Sequence, residues 1–224
     1  MKIAESRGAY TAERAAALSG VPRSTVHYWA RHEILVPSVS PTKVKLWSYT
    51  DLMGLRTIYW LRQRKVTTEG WQVPATAMPA VRQALSLLRA LDLELWTEDG
   101  GPSVAVDPGG LIFVEREPGD VESVAGERPL HPDLLNLIMP FTTRSTRGPD
   151  LQKPREHLRI VPGKLSGSPH LAHTRLETVT IAALRERGFE QDGIERLYPK
   201  VEPIGLLEAL DLERQLSRNL QAAA

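Results

Sequence analysis

The apolar and polar residues between positions 11 and 37 have the spacing of two short helices joined by a tight turn. Thr11 is a suitable N-cap, and segment 12–18 consists of strong helix formers. Gly20 supplies the turn, because it adopts a positive φ that a side chain resists. Pro22 fits the first turn of the next helix, where its missing N–H costs nothing. The pattern therefore predicts a helix-turn-helix.

The second of these helices separates an apolar face from a polar one. Val26 and Trp29 lie three residues apart, so both side chains are expected to face inward. The remaining positions carry side chains that bond phosphates or base edges. They are the predicted DNA-binding residues of the helix: Arg23, Ser24, Thr25, His27, Tyr28 and Arg31. An ordinary helical hairpin is the alternative, because a helix-turn-helix pattern alone has low specificity.

A hairpin and a third helix are predicted next along the chain. An extended stretch begins at 34–37, and a basic tip with Lys43 and Lys45 leads into a second apolar segment. This order predicts a β-hairpin wing whose two lysines also contact DNA. Thr50 is the expected cap of a third helix that ends at about Arg64. Its predicted core face repeats every three residues: Leu52, Leu55, Ile58 and Leu61.

Helix, turn, helix, wing and helix is a winged-helix order, and it resembles the N-terminal domain of MerR-like transcriptional regulators. The resemblance lies in Gly20-Val21, Ser24-Thr25-Val26, Tyr28-Trp29, Leu35 to Pro37, Tyr49, Asp51-Leu52 and Leu61-Arg62. It covers residues 1–66 and implies that this segment binds operator DNA.

Charge is distributed unevenly along the chain, although the net value is only +1. Residues 1–66 contain 11 Lys/Arg and 4 Asp/Glu, whereas residues 67–140 contain 4 and 12. Residues 141–224 are near balance, with 13 and 11. A basic segment at one end favours a polyanionic partner, and the helix-turn-helix pattern predicts that this partner is DNA. Chance variation among solvated faces is the weaker alternative.

The chain contains no cysteine, which excludes disulfides, thiolate metal sites and cysteine nucleophiles. The thiol-based metal sensing of MerR relatives is thereby excluded as well. The N-terminal segment lacks an apolar signal core, and no apolar run approaches the length of a membrane span. A cytoplasmic protein with no cofactor and no membrane contact is therefore expected.

The middle of the chain predicts one helix followed by a small antiparallel sheet. The helix, 78–91, lacks the heptads of a MerR-like coiled-coil dimer helix, so a homodimer must use another surface. Asp107-Pro108-Gly109-Gly110 has the composition of a hairpin turn. A structural sheet is favoured over an effector site, because no phosphate loop is present. The other predictions are β-prone segments at 93–96, 103–106 and 111–114, an acidic loop at 115–128 and a short helix at 134–139.

Residues 142–157 have the composition of a flexible basic linker, and residues 158–224 predict a second small domain. A strand at its start precedes a helix that Thr174 is expected to cap and Gly188 to end. Two more helices are predicted over 191–197 and 203–220. The residues expected in its core are Val179, Ala182, Ala183 and Leu184 on the first helix and Ile204, Leu207, Leu210 and Leu216 on the third.

This C-terminal order resembles the small domain of one group of VapB-type antitoxins. The residues that carry the resemblance are Gly167, Pro169, Thr174, Arg175, Gly188, Tyr198 and Pro199. His173 stands where members usually have a second glycine. The resemblance implies a type II antitoxin that inhibits a PIN-domain ribonuclease toxin (VapC-type) and represses its own operon.

An antitoxin of this kind can block an acidic metal site with a basic side chain that replaces the cation. Five arginines on segments predicted to be flexible or terminal are candidates, although each is also consistent with an ordinary solvated residue: Arg144, Arg147, Arg155, Arg214 and Arg218.

An enzymatic function would have to rest on His157, His170 and His173, with Glu156 and Glu177 nearby. A metal site needs three or four converging ligands, and turn residues with solvated imidazoles are the favoured interpretation. No catalytic or metal-binding residue is therefore predicted, and the protein is expected not to be an enzyme.

The predicted fold is mainly α with a small β component. Its parts are a winged helix-turn-helix (1–66), a central helix with a β-hairpin (67–141), a linker (142–157) and a three-helix, helix-turn-helix-like domain (158–224). The predicted function is that of a homodimeric antitoxin that binds a palindrome in its own promoter. The alternatives are a MerR-like regulator without a toxin partner and an interaction module that does not bind DNA.

Overall fold

Helices predominate at both ends of the chain, and short strands in its middle. The computed structural model describes residues 8–66, 68–116, 121–123 and 133–222. Its helices are α1 (Ala12–Ser19), α2 (Arg23–Arg31), α3 (Tyr49–Leu61), α4 (Met78–Arg89), α5 (Thr178–Glu186), α6 (Gln191–Leu197) and α7 (Pro203–Gln221). Its strands are β1 (Lys65–Val66), β2 (Gln72–Val73), β3 (Ser103–Val106), β4 (Ile112–Glu115), β5 (Val121–Ser123), β6 (Leu135–Asn136), β7 (Phe141–Thr142), β8 (Arg147–Gly148), β9 (Leu158–Arg159) and β10 (His170–Leu171).

The helix-turn-helix has the local structure that its sequence predicts. Thr11 Oγ1 accepts a hydrogen bond from the Arg14 N–H at 3.2 Å, so Thr11 caps α1. Gly20 ends that helix with a φ of +73°. A Cβ on Gly20 would also collide with the backbone nitrogen of Gly148, so glycine is required here twice over.

The third helix begins earlier than predicted, because Ser48 and not Thr50 caps it. Ser48 Oγ accepts the Asp51 N–H at 3.1 Å, and Asp51 Oδ2 accepts the Ser48 N–H at 2.9 Å. This reciprocal pair is a capping box, which satisfies two N–H groups that a helix N-terminus otherwise leaves free. The helix also ends at Leu61, short of the predicted Arg64.

The central sheet is antiparallel, with the strand order β5-β4-β3-β6. The hairpin of β3 and β4 confirms the predicted turn at 107–110, and Asp107 Oδ1 accepts the N–H groups of Gly110 and Leu111 at 2.8 and 2.9 Å. Strand β5 lies in the predicted acidic loop, most of which falls outside the described residues. The buried Asp107 carboxylate therefore stabilises the turn between β3 and β4.

Two predictions in the middle segment are wrong. The β-prone stretch at 93–96 is a 3₁₀ turn over Leu93–Leu95, because Asp92 Oδ1 accepts the Glu94 N–H at 3.0 Å and curls the backbone. The helix predicted at 134–139 is absent, because β6 pairs there with β3. Asn136 Oδ1 then accepts the Ile138 N–H at 2.9 Å in a turn that no helix can continue.

The C-terminal helices form where predicted, but they bury different faces. Helix α5 begins at Thr178 with Glu177 at its N-cap position, so Thr174 does not cap it, whereas Gly188 follows its end as predicted. The predicted core residues Val179, Ile204 and Leu207 are 48%, 46% and 45% exposed. The residues that α7 does bury are Gly205, Leu206, Ala209, Leu212, Leu216 and Asn219.

Helix α7 is rotated in this way because it packs against α1 as well as α5. Arg14 on α1 forms a bidentate pair with Glu213, each nitrogen 2.7 Å from a carboxylate oxygen. Asn219 Nδ2 donates to the Ala17 carbonyl at 2.9 Å. The N-terminal and C-terminal helices therefore share one hydrophobic core.

The segment at 142–157, predicted to be a flexible linker, packs within the fold. Strands β7 and β8 form a two-stranded ribbon there, with Thr142 opposite Arg147. Thr146, Gly148 and Leu151 are buried. The ribbon rests on the turn of the helix-turn-helix, because Thr146 Oγ1 donates to the Gly20 carbonyl.

A single buried arginine on α3 joins the helix-turn-helix to the central segment and to the segment at 142–157. Arg56 is fully buried and donates to six carbonyls, on Leu18, Ser19, Leu137, Ile138, Met139 and Pro149, over 2.6–3.1 Å. Burial lowers the pKa of Arg56 to about 9, which leaves the guanidinium charged at neutral pH. Its rigid fork thus fixes α1 against the segments around β6 and β8.

None of the helices in the described ranges combines the length and the hydropathy that a bilayer crossing requires.

Candidate DNA-binding surface

The second helix of the helix-turn-helix is held by its apolar face. Val26 and Trp29 are 1% and 9% exposed, which confirms the predicted orientation. Because both are anchored in the core, the polar side chains between them are directed away from it. Helix α2 therefore presents a polar face on a rigid support.

The six predicted DNA-binding residues of α2 differ in exposure. Arg23, Ser24, Tyr28 and Arg31 are exposed, whereas Thr25 and His27 are half-buried. Arg23 Nη1 lies 3.8 Å from Glu13 Oε1, a weak pair between exposed side chains that a phosphate can replace.

The sequence-based prediction did not include an aromatic pair at the end of α2. The Tyr28 and His32 rings have centroids 4.2 Å apart and are tilted by 44°. Their four-residue spacing was the available signal, since such residues lie on one face of a helix. The pair therefore places an imidazole against the exposed Tyr28 ring.

The two predicted lysines lie on the segment between α2 and α3. Ser40 and Leu46 form an isolated antiparallel bridge, so the chain reverses over a tip that holds exposed Lys43 and half-buried Lys45. Asp51 Oδ2 accepts the Ser38 N–H at 2.9 Å, which ties the base of this tip to the start of α3. The base of the lysine tip is thus fixed to the cap of α3.

Several cations of the basic N-terminal segment already interact with other groups of the protein. Arg14 pairs with Glu213, and the buried Arg56 donates to backbone carbonyls. Arg62 Nη1 donates to the Thr76 carbonyl at 2.8 Å, and Lys65 Nζ lies 4.7 Å from the centroid of the Trp60 ring. Among the described residues, the exposed positive charge of this segment therefore comes mainly from Arg23, Arg31, Lys43 and Arg64, with Lys45 half-buried.

The C-terminal histidines do not converge on one site. His157 Nδ1 lies 3.1 Å from Glu208 Oε1. His170 and His173 instead face Glu98, whose Oε2 accepts the His173 N–H at 2.7 Å and whose Oε1 pairs with Lys164. Burial lowers the pKa of the His170 imidazole. In the ranges that the structure covers, no group of three or more such side chains is placed to hold a metal ion.

Residues 10–73 match the sequence model of the MerR HTH family regulatory proteins. Comparison with curated proteins and with solved structures gives no significant match. The matched range contains α1, the Gly20 turn, α2, the lysine tip and α3. The N-terminal part of the chain is therefore a MerR-type helix-turn-helix domain, the DNA-binding part of a class of transcriptional regulators.

Proposed function

We propose that this protein is a transcriptional regulator that binds operator DNA with α2. The observation that carries the proposal is the MerR-type match over 10–73 together with the outward polar face of α2. Arg23, Ser24 and Thr25 at its N-terminal end reach base edges in the major groove, as recognition helices do. Tyr28 and Arg31 then bond the flanking phosphates. We also propose a cytoplasmic location for this regulator.

The lysine tip supplies a second contact to the DNA backbone. Lys43 is exposed and Lys45 half-exposed, and both act on phosphates as point charges. We further propose a homodimer on a palindromic operator in the protein's own promoter. Two recognition helices then enter successive major grooves, about 34–36 Å apart.

A quadruple variant tests the DNA-binding function. Arg23, Arg31, Lys43 and Lys45 are changed to Ala, and binding to the DNA upstream of the gene is measured across a salt series. Each lost phosphate contact should make the slope of log K against log salt less negative by about 0.9. Unchanged affinity and slope would exclude α2 and the tip from the interface.

A matched control removes the same charge elsewhere. Arg82, Arg89, Arg187 and Arg196 are exposed and lie outside the matched domain. Their replacement by Ala should leave affinity and salt slope close to those of the original protein. A similar loss in both quadruple variants would mean that only overall charge matters.

A second candidate function is that of a type II antitoxin, proposed from the C-terminal resemblance. One observation favours it. His173 has a φ of +59°, so the backbone there adopts the left-handed conformation that glycine prefers, although the side chain is present. Gly167 also has a positive φ, and its carbonyl accepts the Tyr10 hydroxyl at 2.8 Å. The turn geometry expected of the G-x-P…T-R pattern is thus compatible with this chain.

The antitoxin proposal also has a surface available for a partner. Helices α5 and α7 border a groove of about 860 Å³ whose apolar lining includes Val179, Ala182, Ala183 and Leu210. We propose that a PIN-domain ribonuclease of the VapC type docks there. Co-purification with the product of the adjacent gene, and loss of its ribonuclease activity in the complex, test this. An adjacent product that neither binds nor is inhibited would leave the transcriptional regulator alone.

A further inference from the structure

A cavity of about 630 Å³ between the β7–β8 ribbon and α7 collects arginines that are distant in the sequence. Arg144 and Arg147 come from the ribbon, Arg155 from the loop after it, and Arg218 from α7. Four of the five arginines that the sequence places on flexible or terminal segments therefore line one site. The fold makes a concentrated positive surface of them.

Three of these guanidinium groups have no side-chain hydrogen bond or ion pair to any other residue that the structure describes, and all three are exposed: Arg144, Arg147 and Arg218. Arg155 differs, because its Nη2 lies 2.8 Å from Asp211 Oδ2 and 2.6 Å from Gln215 Oε1. The free positive charge of the cavity thus comes from the ribbon and the end of α7.

The ribbon holds its arginines in place through the backbone. The Arg147 N–H donates to Asn219 Oδ1 at 3.0 Å, and the Arg147 carbonyl accepts from Asn219 Nδ2 at 2.8 Å and from Gln215 Nε2 at 2.7 Å. These bonds do not depend on the guanidinium. A substitution of the Arg147 side chain can therefore remove charge without removing the ribbon.

The rest of the lining suits an anion with several acceptor oxygens. Thr142 and Ser145 contribute hydroxyl groups, whereas the Thr143 hydroxyl is already bonded to Thr146. Asp150 is the carboxylate of the lining, and its Oδ1 already accepts the N–H groups of Gln152 and Lys153, each at 2.7 Å. Phosphate binds arginine bidentately and accepts further bonds from hydroxyls.

The cavity lies beside the turn of the helix-turn-helix. Thr146 of the ribbon bonds the Gly20 carbonyl, and Asn219 bonds the Ala17 carbonyl on α1. A Cβ on Gly148 would lie 2.7 Å from the Leu18 and Ser19 carbonyl oxygens, so the two backbones are in direct contact. In helix-turn-helix complexes the first helix crosses the DNA backbone.

We propose that this cavity is a phosphate-binding site and that DNA backbone beside the helix-turn-helix supplies the phosphate. The proposal rests on the proposed DNA-binding function and extends the interface beyond residues 10–73. Arg144 and Arg147 contact phosphates directly, and Arg218 supports the same site from α7.

The test uses the full chain with Arg144→Gln/Arg147→Gln, which keeps the side-chain stems and removes two charges. Arg187→Gln/Arg196→Gln removes the same charge from exposed positions outside the cavity. Binding to the upstream DNA and to a random duplex of equal length is measured across a salt series. The ribbon variant should make the slope less negative by about 1.8, and the control by much less.

A second arm separates the sources of phosphate. Inorganic pyrophosphate is titrated into each protein by calorimetry, and Arg218→Gln is included as a variant that leaves the ribbon sequence intact. An unchanged DNA slope with pyrophosphate binding lost only in the cavity variants would support the site with a free phosphate compound as ligand. If the cavity variants change neither the DNA salt slope nor pyrophosphate binding, the proposal is overturned. A loss of binding to an acidic protein partner would not rescue it.

Failure of the DNA-binding function has a different signature. In that case the original protein fails to bind either duplex, or the quadruple variant of α2 and the tip binds like the original. If the quadruple variant loses DNA binding as expected and the ribbon variant keeps the original salt slope, only the cavity is excluded from the interface.

Discussion

Helices α1 and α5 are both short, and they differ in how completely the rest of the protein covers them. Every residue of α1 from Ala15 to Ser19 is buried, whereas α5 buries only Thr178 and Ile181. Helix α1 packs against α2, α3, α7 and β8, so its small alanines are surrounded. Helix α5 packs mainly on α7 and leaves Val179 in an open groove. The rest of the fold thus covers the C-terminal half of α1 completely, whereas α5 retains an exposed apolar face.

The largest expected effect concerns Arg56, which donates to the Leu18 and Ser19 carbonyls at the end of α1. Replacing Arg56 by Met should lower the free energy of unfolding by about 3–5 kcal/mol, because six carbonyls lose their donor in a buried site. Urea denaturation followed by circular dichroism measures the change. Arg64→Met, on an exposed side chain of the same region, serves as the control. A loss below about 1 kcal/mol would show that water replaces the guanidinium.

Two leucines on opposite faces of α7 compare the covered and uncovered sides directly. Leu212 is fully buried, and Leu212→Ala should cost about 3 kcal/mol by removing packed methyl groups. Leu207 is 45% exposed, and Leu207→Ala should cost less than about 1 kcal/mol. Both are measured by urea denaturation. Equal costs would mean that the exposed face is already covered in solution, for instance by a second copy.

The carboxylate of Glu213 connects the two helices under comparison. It accepts both guanidinium nitrogens of Arg14 on α1 and the Thr178 hydroxyl on α5. Glu213→Gln should lower the free energy of unfolding by about 2 kcal/mol, since charge-assisted bonds at a partly buried site are lost. Thermal melting checks the change. Exposed Glu186→Gln provides the charge-matched comparison, with an expected effect near zero.

The smallest expected difference concerns the N-termini of α1 and α5. Thr11→Ala should cost about 1 kcal/mol, because it removes the side-chain cap of α1. Glu177→Ala should cost at most about 0.5 kcal/mol, since Glu177 makes no side-chain cap bond to α5. Denaturation midpoints of the two variants give the comparison. A larger effect at Glu177 would reverse the order and indicate a role outside α5.

Local structure was predictable from the sequence where a single residue determines it. Thr11, Gly20 and Asp107 act through neighbours within four residues, so the cap and both turns could be read from composition. Val26 and Trp29 followed from helical spacing. The cap of α3 was misplaced by two residues, because Ser48 and Thr50 are both suitable and only the capping box with Asp51 distinguishes them.

The candidate surface was predictable in its residues but not in its available charge. The sequence counts Arg14, Arg56, Arg62 and Lys65 equally with Arg23 and Lys43. The fold engages the first four with carbonyls, a carboxylate or an aromatic ring. It also gathers Arg144, Arg147 and Arg218 at one cavity, which no spacing in the chain predicts.

The sequence alone determined the MerR-type helix-turn-helix, because helix capping, glycine turns and apolar spacing are local. Tertiary structure alone decided how segments distant in the chain pack on one another. Helix α7 buries Leu212 and exposes Leu207 because it must pack on α1 through Glu213 and Asn219, contacts that span about two hundred residues. A predicted linker became a packed ribbon because Arg56 donates to the Pro149 carbonyl and the Gly20 carbonyl accepts the Thr146 hydroxyl. Such pairings depend on which distant surfaces meet, and hydrophobic periodicity carries no information about them.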